Sequence, residues 1–332
     1  MKPVEIIGNE QILDPLREAI EKNALCGCYL IEGPEGSGKK TIAKYLCALL
    51  SCERPDPDGR PCFSCRGCEN VYAFSHPDLF VIAPEEQASS ISVSVVREAN
   101  RAAASAPISA RRRVFLIPEA EKLGVEAQNA LLKNLEEPVQ NAVYLLLACE
   151  SSVLLPTVLS RAVRYRTQSL SEEVVLRELT RRFPDADAGE RLLAARVCGG
   201  ALGVAERCLR DPDFRLRRET AQRYLDALCE GADFPRFCAI LPPETKRDAL
   251  KLFYPLLLAA LRDALCVKEA KGAAKPVFLE TVEPQKFALV STAKLLGLAD
   301  QVCELIDPSM QNAHAAGSVA LLNSLASAPD GK

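Results

Sequence analysis

One glycine-rich turn organises this chain, and it reads Gly33-Pro34-Glu35-Gly36-Ser37-Gly38-Lys39-Lys40-Thr41. The apolar run 28–31 precedes it and the helical pattern 42–50 follows it, so the order is strand, loop, helix. Glycines let successive backbone N–H groups face an anion, the helix N-terminus adds partial positive charge, and a lysine reaches the outer phosphates. The pattern therefore indicates a phosphate-binding loop, with a glycine-rich turn that binds no ligand as the alternative.

The loop departs from the complete motif at one position. An intact loop carries Ser or Thr directly after its lysine to hold Mg²⁺, whereas Lys40 stands there and Thr41 comes one place late. The sequence thus predicts descent from a phosphate-binding loop without predicting hydrolysis. The candidate nucleotide-binding residues here are Gly33, Gly36, Gly38, Lys39, Lys40 and Thr41.

Composition sets the class of protein. The 332 residues are too many for one ordinary core and predict two or three domains, and 48% hydrophobic with 26% charged residues is typical of a soluble globular protein. We expect a cytoplasmic location, because no apolar run reaches the ~18 residues of a membrane span and no signal-peptide core follows the first residues. The net charge of −3 argues against an independent nucleic-acid binder, and two histidines disfavour a Ser-His-Asp site.

Four of the fourteen cysteines form a pattern. Three occur at x2 spacing within seven residues, and the fourth lies across a Pro/Asp/Gly loop: Cys52, Cys62, Cys65 and Cys68. Four thiolates without an open position predict a structural zinc site. Unligated surface thiols and an iron–sulfur cluster are the alternatives. The other cysteines are expected to be reduced, some of them as small buried hydrophobes.

Apolar runs predict three further strands, at 79–82, 114–117 and 143–148, with helices at 95–106 and 125–137. A phosphate-binding ATPase normally carries Asp-Glu after the third of these four strands, for metal and for the attacking water. Here the pair is Pro118-Glu119, so Glu119 is a candidate site residue while Pro118 cannot ligate metal. The run Arg111-Arg112-Arg113 before this strand is interpreted as a solvated loop.

A set of motifs in residues 6–166 is similar to one known family. Besides the loop and the cysteines, these are Gly8-Asn9-Glu10, Ala130-Leu131-Leu132-Lys133-Asn134-Leu135-Glu136-Glu137-Pro138 and Ser160-Arg161. In this order and spacing they resemble the bacterial clamp-loader AAA+ family. The resemblance implies an α/β AAA+ P-loop domain with a parallel sheet, a small helical lid domain and a C-terminal all-α collar domain.

The resemblance also implies site roles. In that family a Ser-Arg-Cys motif supplies an arginine finger to ATP on the neighbouring subunit, and Arg161 matches the arginine although Ala162 replaces the cysteine. Without this context Arg161 would be interpreted as a solvated loop residue. The family's motor subunits place a nucleotide-sensing arginine where Gly203 aligns.

Three domains are therefore expected: 1–168, with the zinc insertion 52–68, a lid at 169–210 and an oligomerisation collar at 211–332. Helical patterns at 172–180, 189–197, 216–229, 246–267, 282–296 and 298–306 fit this division.

The expected function follows from the family. The chain would be a subunit of the DNA polymerase III clamp loader with a degenerate ATP site. It would help load the sliding clamp onto primer-template DNA, in a hetero-pentamer with delta and gamma/tau subunits. Zinc is the expected cofactor, ATP binding is left open, and no ATPase or polymerase activity of its own is expected. An active gamma/tau-like motor subunit and a free-standing zinc module for nucleic acid are the alternatives.

Overall fold

The computed structural model describes residues 5–85, 88, 90–137, 139, 141–242, 245–269, 276, 278, 284–287, 290–306 and 315–329. The chain divides into two compact units, Met1–Leu170 and Ser171–Lys332. The boundary lies two residues from the predicted end of the first domain. The further division of the second unit into lid and collar stays a prediction.

The first unit is built on a parallel sheet. Its strands are β1 Cys28–Glu32, β2 Leu79–Val81, β3 Arg113–Ile117, β4 Ala142–Ala148 and β5 Val163–Arg166. Within the described residues they lie in the order β2-β3-β4-β1-β5, and every neighbouring pair is parallel. The predicted α/β domain with a parallel sheet is confirmed, and the glycine loop follows the strand that lies between β4 and β5.

Helices cover both faces of this sheet. They are α1 Glu10–Glu21, α2 Lys39–Ser51, α3 Arg66–Tyr72, α4 Val93–Ala103, α5 Val125–Glu136 and α6 Pro156–Leu159. Side chains of α1, α2 and α3 share one core with alternate residues of β1, β3 and β4, whereas α4, α5 and α6 share a second core with the other residues. Burial on both faces explains why these strands are continuous apolar runs.

Among the elements of this unit that were not predicted are β5 and α3. The β5 sequence Val-Arg-Tyr-Arg alternates apolar and charged residues at the edge of the sheet, and the side chains are half-buried or exposed. The α3 helix lies inside the cysteine insertion and begins after Cys65, whose Sγ accepts the N–H of Cys68 at 3.5 Å. Both elements depend on neighbours that are distant in sequence.

The second unit is helical in its described part. It contains α7 Glu172–Arg182, α8 Ala188–Val197, α9 Leu202–Arg210, α10 Phe214–Cys229, α11 Phe234–Ile240, α12 Arg247–Glu269, α13 Thr292–Ile306 and α14 Ala315–Ser327. Side chains of Ser171, Asp187 and Asp233 accept backbone N–H groups at the starts of α7, α8 and α11, which fixes these boundaries. Among the described residues, no helix combines the length and apolar character that a membrane span requires.

One helical prediction in this unit is wrong. The segment 282–296 does not form one helix, because a 3₁₀ turn covers Pro284–Phe287 and the backbone is non-helical at Val290 and Ser291. The following helix α13 instead runs continuously through the predicted break near residue 297. Its apolar pattern continues through Gly297, a residue that is tolerated in a helix interior at a modest cost.

The arginine run is also corrected. Arg111 is exposed, but Arg112 donates Nη1 to the carbonyl of Leu25 at 3.0 Å, and Arg113 is buried with its Nε 3.6 Å from Oδ1 of Asp78. Asp78 is 1% exposed and accepts the backbone N–H groups of the run 108–110 at 2.7–2.9 Å. This carboxylate therefore anchors the chain that leads into β3.

The Asp78 carboxylate is expected to contribute stability that depends on pH. Burial alone would raise its pKa, but the N–H bonds lower the pKa of Asp78 below its usual value. A lowered folded pKa contributes stability above the unfolded value of about 4 and loses it as pH falls through the folded pKa. Asp78→Asn should cost about 3 kcal/mol at neutral pH, and the difference from the parent should shrink below about pH 4.

Urea unfolding of the whole chain between pH 3 and pH 7 measures this effect. Asp14→Asn is the matched control, because the Asp14 side chain is 65% exposed and its loss should change stability by no more than about 0.5 kcal/mol. An Asp78→Asn protein as stable as its parent at pH 7 would mean that the anchor is unimportant.

Candidate nucleotide site, cysteine cluster and exposed arginine

Parallel strands bring the ends of distant segments to one edge of the sheet. Glu32 at the end of β1 pairs with Ala148 of β4 on one side and with Arg166 of β5 on the other. The residues that follow these strands, Gly33, Cys149 and Thr167, therefore lie at the same carboxyl edge. Ligands of open α/β sheets bind at this edge.

Gly33 is required by a close approach. Its N–H donates to the carbonyl of Ala148 at 3.1 Å, and a Cβ atom on Gly33 would lie 1.8 Å from Oγ1 of Thr167. The Thr167 hydroxyl donates to Oγ of Ser37 at 2.9 Å, so it also ties the loop to the chain beyond β5. Gly36 and Gly38 have φ angles of 74° and 93°, which other residues rarely adopt.

Lys39 lies where the motif requires it, at the first position of α2, and its side chain is directed back into the loop. Its Nζ donates to the carbonyl of Gly33 at 2.5 Å and to that of Pro34 at 2.9 Å, and the residue is 9% exposed. The ammonium group thus holds the loop closed on itself. A bound phosphate would compete with these carbonyls for the lysine.

The next two positions differ in environment. Lys40 is exposed and Thr41 is half-buried. Burial, and then the charge of Lys40, lower the pKa of Lys44 one turn further along α2. With Lys40, a cationic side chain occupies the position from which a hydroxyl normally reaches the metal.

The acidic residues after β3 are only partly available. The Glu119 carboxylate lies 3.0 Å from Nζ of Lys122. Glu121 has one buried carboxylate oxygen without a hydrogen-bond partner among the described residues, and it lies close enough to Cys149 to act on its thiol. Burial mainly raises the pKa of Cys149, while the charge of Lys39 opposes the rise and Glu121 adds to it. The Cys149 Sγ is 3.8 Å from Nζ of Lys39.

Sequence reasoning missed Thr167, Cys149 and Glu121 as neighbours of the loop. Each of them follows the end of a strand, two of them directly. This position at the carboxyl ends of parallel strands is the feature that could have identified them as neighbours of the loop. Such an inference requires the order of the strands in the sheet, and β5 had not been predicted.

The four predicted cysteines converge. The Sγ atoms of Cys52, Cys62, Cys65 and Cys68 all lie within 4.8 Å of one another. Four thiolates bound tetrahedrally at about 2.3 Å from one zinc ion have sulfurs roughly 3.8 Å apart. The donor set and the spacing of the sulfurs therefore fit a zinc ion with small adjustments.

The surroundings of the cluster are partly buried and ordered by backbone contacts. The N–H of Cys62 donates to Sγ of Cys52 at 3.3 Å, and the N–H of Ser64 is the main cause that lowers the pKa of Cys62 to about 6. Burial raises the pKa of Cys68. Gly67 allows the approach of α3 to the end of α2, since a Cβ atom there would lie 2.1 Å from the carbonyl oxygen of Ser51.

Arg161 lies away from the other two groups, between α6 and β5. Its Nη1 donates to the carbonyl of Thr157 at 3.0 Å and to Oγ of Ser160 at 3.2 Å, and its Nη2 lies 2.9 Å from Oε1 of Glu136. The side chain is 35% exposed. Among the described residues, none of its polar partners belongs to the glycine loop, so Arg161 is not arranged to act on a ligand of its own loop.

Comparisons with known proteins identify similar chains. The family model described as "DNA polymerase III, delta subunit" matches residues 8–171. The chain is 40% identical over 181 residues to DNA polymerase III subunit delta' of Pseudomonas aeruginosa, covering 54% of each chain. It is 28% identical over 165 residues to subunit delta' of Bacillus subtilis, covering 50% of this chain and 49% of that one.

Gamma/tau subunits are also similar. The subunit gamma/tau of Mycobacterium bovis is 32% identical over 194 residues, which cover 58% of this chain and 31% of the relative. The chain spans about half the length of the delta' relatives that it matches. The whole activity of those relatives is therefore not transferred by similarity alone.

A solved structure of a DNA polymerase III gamma subunit-related protein from Thermotoga maritima covers 95% of this chain and 98% of its own, with 19% identity and a TM-score of 0.47. A likeness at this level carries no conclusion by itself. The parallel sheet, the glycine loop and the helical second unit are nevertheless the AAA+ architecture that the motifs predicted. Through residues 8–171, the chain belongs to the bacterial DNA polymerase III clamp-loader family, as a delta-prime-type member.

Proposed function

We propose that this chain is a clamp-loader subunit with a degenerate ATP site that supplies Arg161 to the ATP of a neighbouring subunit. It completes a ring with delta and gamma/tau subunits, a hetero-pentamer that places the sliding clamp on primer-template DNA. The observation that carries the proposal is the contrast between the two sites. The chain's own loop has lost its metal hydroxyl and its acidic partner, whereas Arg161 stands at the surface.

Three losses weaken the chain's own site. Lys40 replaces the hydroxyl that ligates Mg²⁺, Pro118 replaces the aspartate, and Gly203 in α9 has no side chain with which to sense nucleotide. Phosphoryl transfer depends almost wholly on positioning and charge neutralisation, so a site without a correctly held metal loses most of its rate enhancement. Glu119 does not compensate, because its carboxylate is paired with Lys122.

The second candidate function is an active motor subunit. The 32% identity to a gamma/tau subunit favours it, and a small shift that lets Thr41 take the metal position would support it. Pro118 would still contribute nothing to metal binding. Nucleotide binding and turnover must be measured separately, since Lys39 and the loop amides remain able to attract phosphate.

We expect no steady ATP hydrolysis by the isolated chain. Turnover should stay far below the ~1 per second of ordinary enzymes and should equal that of a Lys39→Ala control, because neither protein holds Mg²⁺ correctly. The measurement is release of radiolabelled phosphate, with nucleotide binding titrated in parallel. Turnover that is abolished by Lys39→Ala would favour the motor subunit instead.

The arginine acts on charge that develops at a neighbour's phosphate. A guanidinium donates two parallel hydrogen bonds to phosphate oxygens and stays charged at every relevant pH. An arginine finger contributes about 10³-fold or more at the site it serves. Arg161 fits this role because it is partly exposed and has no polar contact, within the described residues, with its own glycine loop.

Arg161→Ala should leave assembly of the loader intact and lower its ATP turnover, by ~10³-fold at the affected site and less over the whole ring. Arg161→Lys should rescue only in part, because an ammonium group lacks the planar pair of donors. Steady-state turnover of the complex, purified after co-expression, measures both. Arg177→Ala, which removes an exposed arginine of α7, is the control. Unchanged turnover in an assembled Arg161→Ala complex would rule out the finger.

Zinc is the proposed cofactor, with a structural role. The four sulfurs fit a closed site, and the aromatic rings of Tyr45, Phe63 and Tyr72 pack beside it with centroids 5.9–6.2 Å apart. The metal would tie the loop after α2 to α3, two elements that Gly67 already brings into close approach. Metal binding of this kind contributes directly to local folding.

Elemental analysis should find one zinc ion per chain, retained without added metal. Cys65→Ser should reduce zinc retention and increase protease sensitivity of residues 52–68, because the site loses one of four thiolates. Cys26→Ser, at an exposed cysteine outside the cluster, should retain zinc fully. Freshly prepared parent protein without zinc would contradict the assignment.

A further inference from the structure

We propose that Glu136 is a positioning residue for Arg161, holding the guanidinium in the geometry in which it meets a neighbour's phosphate. This role rests on the proposed function of Arg161 and adds a positioning residue to the same site. Glu136 is the last residue of α5 and belongs to the motif 130–138, which has no role in the sites described above. The contact joins two motifs through residues that lie 25 positions apart in sequence.

The guanidinium is held from two elements. On Nη1 its acceptors are local, the carbonyl of Thr157 and the hydroxyl of Ser160, both at the end of α6. On Nη2 the partner is Oε1 of Glu136, 2.9 Å away at the end of α5. Because both local acceptors bind the same nitrogen, they do not prevent rotation of the guanidinium plane about Nη1. The ion pair with Glu136 on the second nitrogen restrains this rotation.

Donors remain for a ligand. A guanidinium has five N–H groups; Nη1 donates to Thr157 and Ser160, whereas Nη2 forms an ion pair with Oε1 of Glu136. Within the described residues, Nε–H and the second Nη2–H have no acceptor. Two donors on adjacent nitrogens are what a phosphate needs for a two-pronged contact. The contact with Glu136 therefore leaves Arg161 competent to bind an anion.

The pair is too exposed to serve stability. The two side chains are 35% and 50% exposed, and ion pairs of this kind contribute little to folding. Its effect is instead expected on the reaction, because a side chain that is ordered beforehand loses less conformational freedom when the transition state forms. The negative charge of Glu136 opposes this benefit, but solvent and salt screen it at the surface. The sign of the measured change decides between the two effects.

The chain offers a matched control at the next residue. Glu137 is also exposed and directly follows the same helix, but it forms no ion pair with the described residues. Removal of either carboxylate changes the net charge of this surface equally. Only Glu136→Gln removes the contact with Arg161.

The experiment measures steady-state ATP turnover of the assembled loader that carries Glu136→Gln, Glu137→Gln, Arg161→Ala or the double change Glu136→Gln with Arg161→Ala. Glu136→Gln should lower kcat at the served site by about three- to tenfold, less over the whole ring, and leave the KM for ATP unchanged; the effect stays below the ~10²-fold of a fully misplaced group because the contacts of Nη1 remain. Glu136→Asp should rescue in part and Glu137→Gln should have no effect. The double variant should match Arg161→Ala alone, because Glu136 acts only through that residue.

The outcomes separate the two levels of the proposal. An unchanged or raised kcat in Glu136→Gln, while Arg161→Ala lowers it, overturns the positioning role and leaves the finger standing. An additional loss in the double variant also overturns it, since Glu136 would then act elsewhere. If Arg161→Ala itself leaves turnover unchanged, the finger fails and the role of Glu136 fails with it.

Discussion

The position of β1 between β4 and β5 is the constraint on which the rest of the site depends. Backbone pairing on both sides aligns Glu32 with Ala148 and Arg166, and the next residue must then pass between two neighbouring chain ends. Only glycine fits, because the hydroxyl of Thr167 fills the place of a Cβ atom at Gly33. This close packing determines the path of the loop. Lys39 stabilises that path by donating hydrogen bonds to the carbonyls of Gly33 and Pro34. The sheet therefore shapes this turn whether or not a nucleotide binds.

The sequence could predict the central part of this arrangement. Strands that are buried on both faces are apolar at nearly every position, so the patterns of β1, β3 and β4 predict strands, as the glycines predict the turn. The edge strand β5 was missed, because Val-Arg-Tyr-Arg meets solvent as well as the sheet. Without β5 the strand order was incomplete, so Thr167 could not be placed beside Gly33. Local pattern identifies a strand, whereas neighbours across a sheet depend on register, which the pattern does not contain.

For polar side chains, too, the sequence predicts some contacts and not others. The spacing of the four cysteines predicts that their sulfur atoms lie close together, because four residues of one ligand type form a recognisable metal-binding pattern. The run Arg111-Arg112-Arg113 by itself predicts a solvated loop, because Asp78, the partner of Arg113, lies more than thirty residues earlier and has no matching pattern. Likewise nothing in the motif around Glu136 indicated Arg161 as its partner. Pairs of unlike charge become visible only when the fold brings two elements together.

The glycine loop is therefore poor proof of nucleotide binding in this chain. Its conformation is supported from within, by the hydrogen bond between Gly33 and Ala148, by the Thr167–Ser37 contact and by the lysine that bonds two loop carbonyls. Loss of Gly33 or Lys39 would disturb the edge of the sheet whether or not phosphate ever binds. Lys40 and Pro118 carry no such structural duty, and these are the positions that differ from the complete motif. Under the proposed function, the positions that match the motif are those with a structural role in this loop, whereas the positions that differ are those that only a bound metal would require. The fold thus accounts for the matching positions without any nucleotide.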